Sequence, residues 1–491
     1  MNKLRNIWHS VEMKYNTLNY SYTFIMSFLK SYNPANGRLI GETRTSTKRD
    51  IDRAVAKAQK AFAGWKKTPL NQRAGYLKKY RQLLEKHKEE LARLVSQEMG
   101  KPISQSRDDI KYEKDFIDYY IQEGPKALAD EFLKKENNTE FTIRFEPYGV
   151  CVCIAPWNFP LSMFNSGVLP ALMAGNTVIF KPSEYTTLSQ KRFGELLQQT
   201  GLPTGIFQLA IGAGDVGKML IDHPDINLVW FTGSTKVGQE IFAKCGKKFI
   251  KGIMELGGSS PGIVFADADF EDTIKQLYWA RFLNCGQVCS SVKRLFVERP
   301  IFRQVVDRLV KELQTKKVGD PLQKDTDFGP LVSQKQLLLL ESQVNDAIKK
   351  GAKVEIGAKR PTGKKFAKGN YYLPTILTNV NWQMRVLTEE TFGPVLPVIP
   401  FKTEGEVIEM ANNTPYGLSA EIYTSDLKKA EKIASAIQSG VVGINTDSFY
   451  YPFCPIGGMK KSGMGREYGK IGFQEFAQIK LLATRTVKIQ Q

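Results

Sequence analysis

Val150-Cys151-Val152-Cys153-Ile154-Ala155 is an uncharged apolar run that reads as one buried strand. Three similar runs follow it, Asn176–Phe180, Phe207–Ile211 and Leu228–Phe231, with helical segments such as Gln190–Thr200 between them. Strand, helix and strand repeated in this way predict a parallel sheet in a doubly wound α/β domain. A second α/β series starts near Pro261 and runs to about residue 445. Upstream, Ile51, Ala54, Val55, Ala58 and Phe62 form a helical stripe over Arg49–Lys66. Leu77, Tyr80, Leu84, Leu91 and Leu94 repeat the pattern over Asn71–Met99, and Gly100 is a stop signal. A third helical region covers about 104–128. At the other end, Ile479–Ile489 reads as a last strand reaching outside its own domain.

A chain of 491 residues exceeds one small core, so two or three domains are expected. An apolar share of 42% with 24% charged residues excludes disordered and collagen-like classes. No apolar run approaches 18 residues, so no membrane span is expected. The net charge of +19 raises the question of nucleic acid. Lysines and arginines such as Lys78, Lys79, Arg81, Lys86 and Lys88 are scattered along helices, however, which reads as a generally basic solvated surface. The six cysteines have no disulfide-framework or paired CxxC spacing, which fits a reducing cytoplasm. With only His9, His87 and His223, no metal site is expected. Residues 1–25 are basic and aromatic but lack the apolar core of a secretory signal. They are expected to be a poorly packed extension ahead of a start at Met26; an intact mass including Met1 rejects that start.

Two short stretches carry chemistry. Glu255-Leu256-Gly257-Gly258 sets a carboxylate where a strand yields to a glycine turn, and Gly286-Gln287-Val288-Cys289-Ser290 sets a thiol in a glycine-containing loop. A thiol served by a carboxylate suits a covalent thioester made from an aldehyde; a buried structural cysteine is the competing reading. Cys285, four positions before Cys289, is either a small neighbour or an oxidative trap for it. Pro156-Trp157-Asn158-Phe159-Pro160 caps a strand, making the Asn158 amide a candidate oxyanion donor or a turn residue. Gly212-Ala213-Gly214-Asp215-Val216-Gly217 fits a dinucleotide GxGxxG, yet the next strand ends without the acid that would grip a ribose. A tight glycine turn explains it equally well. Gly233-Ser234-Thr235-Lys236-Val237-Gly238 lies at another strand-to-helix junction, where free N–H groups can accept a pyrophosphate. Lys181-Pro182-Ser183-Glu184 ends a further strand, where lysine and carboxylate can hold ribose hydroxyls. The carboxylate repels a 2′-phosphate, which leans towards NAD over NADP.

These residues, in this order, resemble the NAD(P)-dependent aldehyde dehydrogenase superfamily from about Tyr32 to the C-terminus. The resemblance rests on PWNFP at 156–160, KPSE at 181–184, FTGST at 231–235, ELGG at 255–258 and GQVC at 286–289. EETFGPV at 389–395, the Gly457–Gly463 segment and Gly465-Arg466-Glu467 complete it. It implies an aldehyde dehydrogenase-like α/β fold with a Rossmann-type cofactor domain, an α/β catalytic domain and a small β oligomerisation ribbon. The corresponding ranges are 26–124 with 147–256, then 257–446, and 125–146 with 470–491. The assembly implied is a homodimer or homotetramer, acting on a small aldehyde, with neither nucleic acid nor membrane as partner.

The resemblance also implies roles. Cys289 attacks the aldehyde, Asn158 and the Cys289 N–H hold the oxyanion, hydride is lost to the nicotinamide, and Glu255 activates water to release the acid. Relatives that pass the acyl group to coenzyme A usually lack this glutamate, so the resemblance favours hydrolysis. For the cofactor, NAD preferred and NADP possible, Trp157, Lys181, Ser183 and Glu184 would serve with Gly214, Gly217 and Phe231. Gly233 and Ser234 would meet the pyrophosphate, Val237 the adenine, and Leu256, Glu390 and Phe392 the nicotinamide side. Glu98-Met99-Gly100-Lys101-Pro102-Ile103 and Ser259 resemble bacterial succinate-semialdehyde dehydrogenases, which makes succinate semialdehyde the leading substrate expectation. The arginines with which such members hold the distal carboxylate correspond to Leu283 and Ser166, so Arg281, Lys293 or Arg294 would have to compensate. A broad-specificity aliphatic or aromatic aldehyde dehydrogenase, or a non-catalytic binding protein on the same fold, are the alternatives.

Overall fold

In the computed structural model, which describes residues 27–486, the Val150 run forms the middle of a six-stranded sheet. Its spatial order is Gly463–Met464, Lys251–Glu255, Leu228–Thr232, Val150–Ile154, Thr177–Lys181, Phe207–Leu209. All neighbours are parallel except the short Gly463–Met464 strand. The chain leaves Val150–Ile154 towards one edge and later returns to its other side. The loops after Val150–Ile154 and Leu228–Thr232 therefore diverge, and a crevice opens beyond their carboxyl ends.

Side-chain alternation splits these strands between two cores. Cys151 and Cys153, both wholly buried, face Phe164, Phe180 and Trp230, as expected for small apolar residues. Val150, Val152 and Ile154 face Val55, Val216 and Leu220 on the other side. A parallel sheet covered on both faces needs such continuous apolar strands.

The second series gives a seven-stranded sheet. Its order is Lys353–Ile356, Thr375–Thr378, Val395–Phe401, Val292–Glu298, Ser260–Val264, Ser419–Tyr423, Val441–Ile444, parallel apart from Lys353–Ile356. It carries its own core around Phe296, Leu340 and Ile422.

The helix expected over Arg49–Lys66 spans Lys48–Trp65 and begins with a capping box between Thr47 and Asp50. The expected single helix over Asn71–Met99 is two, Leu70–Lys86 and Lys88–Met99, broken at His87. Leu84 and Leu91 are both fully buried across the break, so the apolar spacing survives and periodicity alone misses it. The strand expected from Asn176 starts one residue later. The Asn176 side chain instead ties the preceding turn, its Oδ1 accepting from Gly149 N (3.0 Å) and its Nδ2 donating to Phe476 O (2.8 Å). That shift makes Lys181 the last strand residue.

Glu131–Glu136, Thr139–Pro147 and Ala477–Arg485 form a separate antiparallel ribbon. Asn137 and Asn138, both at positive φ, make its tight hairpin turn. The expected last strand is this Ala477–Arg485 element. Val487 and the extension over 1–25 lie outside the described residues.

Candidate active site

The helix Phe270–Phe282 ends in three successive left-handed residues, Asn284 (φ 51°), Cys285 (φ 55°) and Gly286 (φ 69°). Only glycine tolerates the last position, because a Cβ on Gly286 would lie 2.4 Å from the Gly393 carbonyl oxygen. Hydrogen bonds hold the other two against their strain. Gln105 Oε1 accepts from Asn284 N (2.9 Å), and Asn284 Nδ2 donates to the Asn158 carbonyl (2.9 Å). The turn thus stops the helix and sets Cys289 in the wall of a cavity of about 770 Å³.

That cavity occupies the crevice between the two sheets. Trp157 and Asn158 reach it from the Val150–Ile154 strand, Gly233 and Ser234 from Leu228–Thr232, and Leu256 from Lys251–Glu255. Glu390 and Phe392 close it from the second sheet's side, with Phe392 edge-on to Trp157 at 5.5 Å. The Asn158 amide donates to the Gln287 carbonyl at 3.1 Å, which holds it beside the nucleophile loop. The ELGG glycines permit a close approach. A Cβ on Gly258 would be 2.7 Å from the Cys289 carbonyl oxygen, and one on Gly257 2.3 Å from the Glu390 carboxylate.

Burial pushes the Cys289 thiol up to about 11. Lys293 opposes this, while Glu390, Glu255 and Glu467 add to it. Lys293 Nζ donates to the Cys289 carbonyl (2.6 Å) and to Glu390 Oε1 (3.1 Å), so one buried cation links both. Burial holds the Glu255 carboxyl well above the usual range; Glu467 reinforces this and Arg466 opposes it. Glu255 Oε1 is buried and has no hydrogen-bond partner among the described residues. Glu255 is not itself among the cavity-lining residues, but it precedes the lining Leu256 and is near enough to act on the Cys289 thiol, so it is suited to take a proton from a water between them.

Glu467 is a residue to which motif reading assigned no role, although Gly465-Arg466-Glu467 contains it. Burial raises it to about 7, and Thr232 Oγ1 donates to it at 3.3 Å. Its charge is among those that raise the Glu255 carboxyl. Cys285 lies outside the cavity lining, buried in the second core with its thiol donating to Gly329 O (3.2 Å) and raised by burial to about 12. Such a thiol is a poor oxidative trap.

The remaining expected cofactor residues cluster beside the crevice. Lys181 ends its strand buried, its Nζ on the Pro182 carbonyl (2.8 Å), with Glu184 and Asp215 near enough to act on its charge. Ser183 is buried at the same strand end, and Glu184 borders a neighbouring hollow. Gly214 and Gly217 belong to the helix Gly214–Asp222, with Gly217 lying against the Lys181 stem. Phe231 is a core residue whose ring packs against Gly233. Val237 is exposed in the first turn of Thr235–Lys248, a helix whose N-cap Ser234 makes no side-chain cap hydrogen bond. Free N–H groups therefore remain at the crevice for a phosphate, and the residues present fit a dinucleotide.

The candidate carboxylate holders do not reach the cavity. Arg281 is wholly buried and donates to the carbonyls of Thr391, Gly393 and Val395, and Arg294 to those of Ser259, Met410 and Ala411. Lys293 is committed to Cys289 O and Glu390. Buried cations take the backbone oxygens of strand ends, an arrangement that charge counting along the chain does not reveal.

The aldehyde dehydrogenase family model matches residues 26–482. The chain belongs to the aldehyde dehydrogenase family. It is therefore an oxidoreductase acting on aldehydes with NAD(P). It is 35% identical to an Escherichia coli (strain K12) succinate-semialdehyde dehydrogenase whose name specifies NADP(+), over 92% of this chain and 93% of that one. It is 38% identical to the betaine aldehyde dehydrogenase of Bacillus subtilis (strain 168), over 91% and 92%. The crystal structure of betaine aldehyde dehydrogenase from Staphylococcus aureus in complex with NAD+ superposes with a TM-score of 0.90 at 34% identity, covering 94% of this chain and 93% of that one. The expected α/β aldehyde dehydrogenase fold is thus borne out.

Proposed function

We propose that this aldehyde dehydrogenase oxidises its substrate through a thioester on Cys289 that Glu255 hydrolyses. The observation that carries this reading is the meeting of Cys289 and the Asn158 amide at one cavity, with the buried Glu255 carboxyl next to the lining residue Leu256 and near enough to act on the thiol. The Cys289 thiolate adds to the carbonyl carbon, and the alkoxide formed is held by the Asn158 amide and the Cys289 N–H. NAD(P)+, when bound, supplies the acceptor for the hydride that leaves this carbon. The thioester left on Cys289 is then opened by a water whose proton passes to Glu255, freeing the acid and the thiol. Lys293 favours the thiolate by its charge and steadies the loop through the Cys289 carbonyl.

Gly233, Ser234, Lys181, Ser183 and Glu184 would hold the cofactor's phosphates and adenosine ribose, with Trp157, Leu256, Glu390 and Phe392 at the nicotinamide end. Glu184 beside Lys181 supports NAD over NADP. Equal kcat/KM with the two cofactors, read from absorbance at saturating propanal, rejects that preference, and no NAD(P)H with either rejects the reaction itself.

The six-stranded sheet with its helices serves as the cofactor domain and the seven-stranded sheet as the catalytic domain. The ribbon is the oligomerisation element. Its faces leave Phe132 (61% exposed), Ile479 (69%) and Leu481 (59%) open to solvent, more apolar surface than a lone ribbon retains at ease. A homodimer or homotetramer is expected by light scattering, and a monomer mass overturns it. No described helix is long and apolar enough to cross a membrane. A cytoplasmic location is the proposal, tested by recovering the protein in the cytosolic fraction.

For the substrate, similarity to semialdehyde dehydrogenases supports succinate semialdehyde. Against it stands the cavity lining, which offers that molecule's distal carboxylate no cation.

A further inference from the structure

We infer that the aldehyde taken by this site carries a positive charge at the end remote from the carbonyl, as an ammonium or quaternary ammonium group. The inference rests on aldehyde oxidation at Cys289 and names the substrate class for that same cavity. Among the described residues, the lining contains no lysine, arginine or histidine. It contains Asp108, Asp109, Glu113 and Asp447 in addition to Glu390.

These acids are placed by the fold. Along the helix Ile103–Ala127, positions 105, 108, 109, 112, 113 and 116 share one face, and that face is a wall of the cavity. Asp447 comes from the opposite side, in the segment after Val441–Ile444. Asp109 is neutralised by the buried Lys101, and Glu390 by Lys293. Among the described residues, Asp108, Glu113 and Asp447 form no ion pair with a lysine or arginine, although the charge of Lys101 acts on Glu113.

Glu113 separates this arrangement from an ordinary solvated acidic face. It is only 4% exposed, and its two oxygens accept from Ser162 Oγ (2.5 Å) and Asn165 Nδ2 (2.6 Å). Burial raises the Glu113 carboxyl to about 7 while the charge of Lys101 opposes this, so a cation arriving in the cavity would favour its ionised form in a space whose walls are otherwise largely apolar. Tyr112, Trp279, Tyr450 and Tyr451 border the same space. Aromatic faces attract a desolvated cation, and most readily one too bulky to keep a tight water shell. A substrate ending in a carboxylate meets only like charge there.

The test compares aldehydes of matched shape on the wild-type enzyme with NAD. Trimethylammonioacetaldehyde is set against its neutral carbon isostere 3,3-dimethylbutanal, and 4-oxobutanoate supplies the anion. The expected order of kcat/KM is cation, neutral, anion, with the first two apart by about tenfold or more, equivalent to about 1.4 kcal/mol. In the double variant Asp108→Asn with Asp447→Asn, two substitutions outside the cores, the ratio of cation to isostere should fall at least about threefold. A neutral or anionic aldehyde preferred by the wild type, or a ratio unmoved by the double variant, overturns this inference and leaves aldehyde oxidation standing. Absence of NADH from all three overturns the aldehyde chemistry at Cys289 as well.

Discussion

Cys289→Ala should lower steady-state NADH formation by roughly 10⁴-fold or more while leaving cofactor binding and the melting transition nearly unchanged. The magnitude follows from removing the only group that bonds to the substrate carbon. What remains, the Asn158 amide and the cavity, can orient an aldehyde but cannot form the thioester. Stability should change little, because Cys289 sits in a cavity wall and not in a packed core. The competing reading, a structural cysteine, predicts the reverse: retained turnover and a lowered melting temperature. Stopped-flow NADH absorbance, cofactor fluorescence titration and calorimetry on one preparation decide between them. Retained turnover above about one-hundredth of wild type sinks the nucleophile assignment.

Glu255→Gln should give a different signature. Its first turnover should still release NADH, because acylation of Cys289 needs no proton taken by Glu255. The thioester should then persist, with the steady-state rate down about 10²–10⁴-fold, the usual worth of a general base. A burst followed by a slow phase is the expected trace, and a full steady-state rate without a burst excludes the role. The pH dependence has a definite sign. Burial and Glu467 raise the Glu255 carboxyl, so it is protonated, and useless as a base, over more of the acid range than an ordinary glutamate. Hydrolysis in the wild type should therefore fall as pH drops through the raised range. That acid limb should disappear from the slow phase of Glu255→Gln.

The residues proposed to react were legible because their chemistry forces a local pattern. A nucleophile on a left-handed turn needs Gly286, and a glutamate beside a close backbone approach needs Gly257 and Gly258. Such requirements leave glycines at fixed offsets in the chain. The strands were legible for a similar reason, since a sheet covered on both faces must be built from uninterrupted apolar runs such as Val150–Ile154. The break at His87 was not, because Leu84 and Leu91 keep helical spacing across it. Nor was the role of Glu467, which depends on the Thr232 hydroxyl and on nearness to Glu255, residues more than 200 positions away in the chain.

The substrate end of the site marks the sharper divide. In the sequence, Arg281, Lys293 and Arg294 stand within a few residues of Cys289 and look available to hold a carboxylate. Folded, each is drawn to backbone carbonyls or to Glu390, because a buried cation must be fully hydrogen-bonded wherever it lies. Asp108, Glu113 and Asp447 are scattered over 340 positions of chain and carry no motif. They meet only because one helix face and one distant loop enclose the same cavity. The sequence by itself thus determined the family and the sheets and singled out Glu255 and Cys289 as the pair proposed to react, all of which rest on local backbone and side-chain requirements. Only the tertiary structure decided the charge that the cavity presents, because an electrostatic field sums over groups that the chain keeps far apart.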